Sequence, residues 1–293
     1  MIEINGLTKS YEKGKPVLQG IELKVNEGSI FGLVGINGAG KSTLLRLIAG
    51  VLRGEGGQVC VDGENVYENE RVKRQIFFLP DDPYYTSNVT AQGLADLYRS
   101  VYDFNDGVFN EYLQKFKLVD RAPIRNFSKG MKRQVFVALA LAVAPKYLLL
   151  DEAFDGLDPL ARMTFKKGLI DLVEEKGTSV IISSHSLREL EDICDSYGIL
   201  DKGHITCSGE LEQDLMRLHK FQAAFNGEIT QADIPFTCMS FTKTGRVVQL
   251  IAKGETETLT EQLQSLNPLF VEEIAVDFEE LFIGEVRARG YLE

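Results

Sequence analysis

The chain reads as an α/β protein with a small α+β appendage at its C-terminal end, and three features of the main part carry the α/β reading. Ile30-Phe31-Gly32-Leu33-Val34 is a short apolar run that passes through a glycine-rich loop into Thr43-Leu44-Leu45-Arg46-Leu47-Ile48, whose apolar spacing is helical. The first 30 residues alternate apolar and polar positions, as antiparallel strands covered on one face do. From Val89 to Ala144 the periodicity turns helical, which places a helical subdomain at about residues 85–145 within a strand-bearing chain.

Composition narrows the class. The 293 residues suggest two domains, and an apolar fraction of 44% suffices for ordinary cores. The longest apolar run, Val135 to Leu150, is broken by Pro145 and Lys146 and is too short to cross a bilayer. Met1-Ile2-Glu3-Ile4-Asn5 lacks the basic start of a signal peptide, so a cytoplasmic protein is expected. Cys60, Cys194, Cys207 and Cys238 are scattered without metal-type spacing, as reduced thiols are. With 32 basic and 43 acidic residues the net charge is −11, which argues against a nucleic-acid surface. Any phosphate must be held by local groups.

Taken in order, Ile2 to Asn5 and Ile21 to Val25 form the alternating strands, with Gly14 and Pro16 between them. Tyr11 stands in this first turn region, free to pack or to stack on a base. Gly35-Ile36-Asn37-Gly38-Ala39-Gly40-Lys41-Ser42 then has the G-x-x-x-x-G-K-[ST] spacing of a phosphate-binding loop. Its glycines let successive N–H groups face one point, and the helix N-terminus adds partial positive charge there. Lys41 is expected to reach the terminal phosphates and the Ser42 hydroxyl to ligate Mg²⁺.

Past Gly54-Glu55-Gly56-Gly57, a strand Gln58 to Val61 meets the tight turn Asp62-Gly63. Gln75 to Leu79 is a buried strand stopped by Pro80 and Pro83 around Asp81 and Asp82, which either serve a metal or start a turn. Thr90 is the expected N-cap of a helix over Ala91 to Tyr102, a second helix runs from Asp106 to Lys117, and a third starts near Ser128. Phe127-Ser128-Lys129-Gly130-Met131 puts a hydroxyl, a cation and a glycine at that third N-terminus, either a second anion position or a plain cap.

Tyr147 to Leu150 is a strand ending in Asp151-Glu152, at the sheet edge where open α/β sheets bind ligands. There Asp151 would hold a metal's water shell and Glu152 would polarise an attacking water. Gly156-Leu157-Asp158-Pro159, a helix from Leu160 to Lys176 and the strand Ser179 to Ile182 follow. Ser183-Ser184-His185 closes that strand and brings His185 to the same edge as Asp151. The helix containing Arg188 to Asp192 reads as a solvated face without chemistry.

Over about residues 1–215 these motifs, in this order, resemble the ATP-binding subunit of an ABC transporter. The resemblance implies a P-loop NTPase core, a mixed sheet with an antiparallel β subdomain and an inserted helical subdomain, over residues 1–219. It implies ATP and Mg²⁺ as cofactors. Gly35, Asn37, Gly38, Ala39, Gly40, Lys41, Ser42 and Thr43 would cradle the phosphates and Tyr11 would stack on adenine. Ser42, Asp151 and Asp81 would serve the metal, and Glu152, His185 and Lys41 would act in hydrolysis. The family also implies a head-to-tail dimer of ATPase subunits, like or unlike, in which Ser128 and Gly130 of one subunit meet the other's nucleotide and Asp158 lies at the contact. Separate transmembrane permease subunits complete the assembly, with this chain on the inner face of the cell membrane and no nucleic acid involved.

Two positions depart from the family pattern. Asp81 stands where a glutamine is usual, and the signature, often Leu-Ser-Gly-Gly-Gln, reads Phe127-Ser128-Lys129-Gly130-Met131. Residues 220–293 fall outside the ATPase pattern. Strands Cys238 to Lys243 and Val247 to Lys253, a helix Thr258 to Ser265, a strand Phe270 to Ala275 and a helix Phe278 to Arg287 make the α+β appendage. It resembles appendages on subunits serving ABC-2 type exporters. The rival reading is a soluble ATPase of this type, switching a non-membrane partner such as ribosomes or DNA. It lacks the second cassette, coiled coil or basic surface such proteins show, and a nucleotide kinase leaves Ser128 to Gly130 and His185 unexplained.

Overall fold

The computed structural model describes residues 1–119 and 121–288, with the side chains of 285–288 left aside. It divides into two units, Met1–Ser208 and Gly209–Glu293. In chain order the first unit runs β1 (Ile2–Glu12), β2 (Lys15–Val25), β3 (Ile30–Val34), α1 (Lys41–Ile48), β4 (Gly56–Val61), β5 (Glu64–Asn65), α2 (Glu70–Lys73) and β6 (Ile76–Leu79). The helices α3 (Ala91–Arg99), α4 (Asp106–Lys115) and α5 (Lys129–Val143) follow. It closes with β7 (Tyr147–Asp151), α6 (Pro159–Lys176), β8 (Ser179–Ser184), α7 (Leu187–Glu191), β9 (Ser196–Asp201) and β10 (His204–Glu210).

The alternation of the first 30 residues becomes the β1–β2 hairpin, with Ile2 opposite Val25 and Ile4 opposite Leu23. Strand β4 pairs antiparallel on the other side of β1, giving a sheet ordered β2-β1-β4-β5. The second sheet is ordered β10-β9-β3-β8-β7-β6, and β3 runs parallel to both β8 and β9. Every position of β3, β7 and β8 is buried, as expected of parallel strands covered on both faces. Helix α1 lies in the core between the sheets, where Leu44, Leu45 and Ile48 join Ile4 and Val61 of one sheet to Leu33, Leu149 and Ile181 of the other.

Each helix of the subdomain starts on a side-chain cap: Thr90 accepts from Gly93 N–H, Asn105 from Val108 N–H and Ser128 from Met131 N–H. The sequence places α3 and α4 correctly but runs them two or three residues too far. Both end on ordinary αR residues without a glycine stop, which leaves no signal in the sequence.

The second unit comprises α8 (Leu211–Met216), β11 (Leu218–Ala224), β12 (Cys238–Thr244), β13 (Val247–Lys253), α9 (Thr256–Gln264), β14 (Phe270–Ile274) and α10 (Phe278–Ala288). Its antiparallel sheet is ordered β12-β13-β11-β14. The core is Phe221, Val248 and Leu250 under Leu259 and Leu263 of α9. The division falls before Gly209 and not after residue 219, because β11 is an inner strand of this sheet, hydrogen-bonded to both β13 and β14.

Candidate functional site

Three loops leave the carboxyl ends of β3, β6 and β7 and meet around a cavity of about 270 Å³. Asn37, Gly38, Gly40, Lys41, Ser42 and Thr43 of the first loop line it, with Asp81 from the second and Glu152 from the third. The glycines of the first loop are required by space and conformation. Gly40, the N-cap of α1, sits at φ 111° and Gly38 at φ 85°, both in the region that penalises a Cβ. A Cβ on Gly35 would lie 2.4 Å from the Leu200 carbonyl oxygen. The buried Ala39 closes the turn by donating its N–H to Ile36 O at 3.1 Å.

Lys41 is only 6% exposed, and its ammonium is held over the loop by Gly35 O at 2.6 Å and by the Glu152 carboxylate at 3.4 Å. The second Glu152 oxygen faces His185, 2.8 Å from Nδ1 and 3.3 Å from the backbone N–H. Glu152 thus stands between the loop cation and the histidine, as a strand-end acid and a strand-end imidazole on neighbouring parallel strands can. The backbone is forced to do this. Glu152 has φ 48°, left-handed for a residue with a side chain, a conformation costing about 1–3 kcal/mol that persists where its surroundings over-determine it. Its N–H donates to both Ser183 O and Ser183 Oγ at 3.1 Å, which fixes the turn.

Asp151 is 1% exposed. Its Oδ1 accepts from Ser183 Oγ at 2.8 Å, while Oδ2 is buried with no partner among the described residues. A buried, half-satisfied carboxylate suits a cation or its water shell. Among the described residues no cluster of three His, Cys, Asp or Glu side chains could cage a metal alone.

Tyr11 is 58% exposed, and its hydroxyl lies 3.2 Å from Thr43 Oγ1, so the β1 end reaches the first turn of α1. Asp81 lines the same cavity, yet its carboxylate already has a partner. Arg133 of α5 donates to Asp81 Oδ1 at 2.8 Å, to Asp81 O at 2.5 Å and to Pro80 O at 3.0 Å. Ser128 and Gly130 do not line the cavity; Ser128 caps α5, and Gly130 packs against Gly156, where a Cβ would meet Gly156 O at 2.4 Å. Asp158 caps α6, accepting from Ala161 N–H at 2.9 Å.

Arg133 is not singled out by the sequence; its signal is a cation two residues ahead of the apolar run Val135 to Val143, where it is buried. The sequence also reads α7 as a solvated face. Leu190 is buried, and Glu189 accepts from Ser184 Oγ at 2.9 Å while pairing with Arg162 at 2.9 Å, so this helix braces the turn that carries His185.

Residues 18–155 match the family model described as "ABC transporter". The chain is 31% identical over 287 residues to the ABC transporter ATP-binding protein YtrB of Bacillus subtilis, an alignment that covers 97% of this chain and 98% of that protein. It is 29% identical over 231 residues to the lantibiotic transport ATP-binding protein SrtF of Streptococcus pyogenes, covering 78% of this chain and 97% of the relative. Among solved structures, an ATP-binding subunit of an ABC transporter superposes with a TM-score of 0.68 at 28% identity, over 74% of this chain and 92% of the other.

Proposed function

Since the chain belongs to the ABC transporter ATP-binding proteins, ATPase subunits that power transport through separate membrane subunits, we propose how its residues divide that work. The loop Gly35 to Ser42 holds the phosphates, with Lys41 leaving Glu152 for them, and Tyr11 supports the adenine. Ser42 and Asp151 would hold Mg²⁺, which when bound would supply charge neutralisation on the phosphates. Glu152 takes the proton of the attacking water and His185 orients Glu152 and the γ-phosphate edge. The observation that carries this is the single carboxylate shared between Lys41 and His185 at the mouth of the loop.

The site is half of a working one. Ser128 and Gly130 do not line its cavity, and on this reading the same residues of a second ATPase subunit, identical or homologous, complete the nucleotide site. Among the described residues no helix is long and apolar enough to cross a membrane. The motion therefore passes to separate permease subunits on the inner face of the membrane. Tyr84, 90% exposed, beside Tyr85 on Phe136, is the contact proposed. We assign export as the direction, on the appendage and on the transport role named for SrtF.

The test is Glu152→Gln, expected to bind ATP and dimerise while turnover falls by about 10²–10⁴-fold. Retained steady-state ATPase removes Glu152 from its role. Co-purification from gently lysed native cells separates the transporter from a soluble switch, since only the transporter brings down a polytopic partner.

A further inference from the structure

Asp81 and Lys129, two of the residues that depart from the family pattern, are each one half of an ion pair, Asp81 with Arg133 and Lys129 with Asp155, and both pairs end on loops that line or flank the cavity. Lys129, in the first turn of α5, bonds Asp155 at 2.5 Å. Asp155 lies three residues past Glu152, in the segment whose Gly156 packs against Gly130. One turn further along α5, the Arg133 side chain is 2% exposed and spends three hydrogen bonds on Pro80 and Asp81 at the cavity wall. The pairing holds the Asp155 carboxyl below its ordinary range and the Lys129 ammonium above its own.

We propose that these two pairs are cis braces that set the position of the Ser128–Gly130 turn: Arg133–Asp81 ties α5 to the β6 loop of its own nucleotide cavity, and Lys129–Asp155 ties it to the β7 loop of Glu152. Lys129 is then a positioning residue committed within its own subunit, not a cation offered to the partner's phosphate. Asp81 is committed to Arg133, not to the metal. The braces differ in kind. Lys129 and Asp155 have side chains 65% and 44% exposed, so their pair is tunable without threat to the fold. Arg133 is buried, so its charge needs the Asp81 carboxylate. Through them, a shift of either active-site loop moves the residues that complete the neighbouring subunit's site.

This rests on the reading that the Ser128–Gly130 turn meets the partner's nucleotide, and the experiment separates the two. In a Glu152→Gln background the ATP-induced dimer is measured by sedimentation for Lys129→Glu, Asp155→Lys and the double exchange. Each single change is expected to weaken the dimer, with the pair restored by the exchange, on a scale of roughly two- to fivefold for an exposed ion pair. Hydrogen exchange of residues 129–134 in the nucleotide-free chain reads the braces without any dimer. Protection there is expected to fall in both singles and in Asp81→Ala, and to return in the exchange. Loss of the dimer in the Glu152→Gln parent overturns the half-site reading while leaving the exchange data to judge the braces. Unchanged protection in the singles, or an exchange that restores nothing, overturns the proposal.

Discussion

At the scale of single residues, the chemistry is concentrated in a carboxylate with two tasks. Glu152 neutralises Lys41 and accepts from His185, on a backbone held at φ 48° by Ser183. Ser183→Ala is therefore expected to lower kcat, because it removes one tie of the Glu152 turn and the hydrogen bond to Asp151 while leaving the glycine loop intact. A rise in KM with kcat unchanged would place Ser183 in binding instead. Lys41→Ala is expected to abolish ATP binding, read by a fluorescent nucleotide. The placement of Lys41 and Glu152 at one cavity is legible in the sequence because strand-loop-helix and strand-acid-acid are local patterns. The left-handed Glu152 and the Arg133 grip on Asp81 are not, since both depend on partners brought in by other strands and helices. Away from the cavity, Asp62 is expected to contribute to acid stability. Burial pushes the Asp62 carboxyl up, but Lys146, the Met1 amine and Tyr147 outweigh it and hold the carboxyl well below the usual range. A depressed folded pKa gives stability that is full above the unfolded value of about 4 and is lost as the pH falls through the folded one. Asp62→Asn is thus expected to flatten the loss of stability below pH ~4 in urea titrations; an unaltered acid slope would contradict the pairing.

At the scale of elements, helix ends do most of the positioning. The Asp158 carboxylate caps α6 through Ala161 N–H, a role that the family resemblance, which gave it only a dimer contact, did not contain. Asp158→Ala is expected to cost about 0.5–2 kcal/mol of stability by denaturant unfolding, and Asp158→Asn almost nothing, because asparagine caps equally well. Equal losses in both would mean that charge, not capping, matters there. The caps Thr90 and Ser128 were readable because Ser and Thr before an apolar periodic run are start signals. Strands β9, β10 and β11 are not legible in the sequence, since their alternation is weak and two of them pair with distant segments: β9 with β3, and β11 with β13 and β14. The sequence puts the boundary after residue 219, inside β11, because that strand, which begins at Leu218, carries no clear signal of its own.

At the scale of the molecule, the cavity over the glycine loop and the Ser128–Gly130 turn are separate among the described residues, and the turn does not line the cavity. Family membership supplies ATP-powered transport; what this chain adds is the pair of braces and the second unit with its own core. The net charge of −11 fits the proposal that loop geometry and the buried Lys41, not a basic surface, would hold phosphate. The central claim is that hydrolysis belongs to two subunits and binding to one. The direct measurement is specific ATPase activity against dilution, with MgATP binding followed in parallel. Binding per chain is expected to stay constant while specific activity falls steeply on dilution, or is absent throughout where the second subunit is a different chain. Specific activity that holds constant down to concentrations where sedimentation shows only monomer would contradict the account.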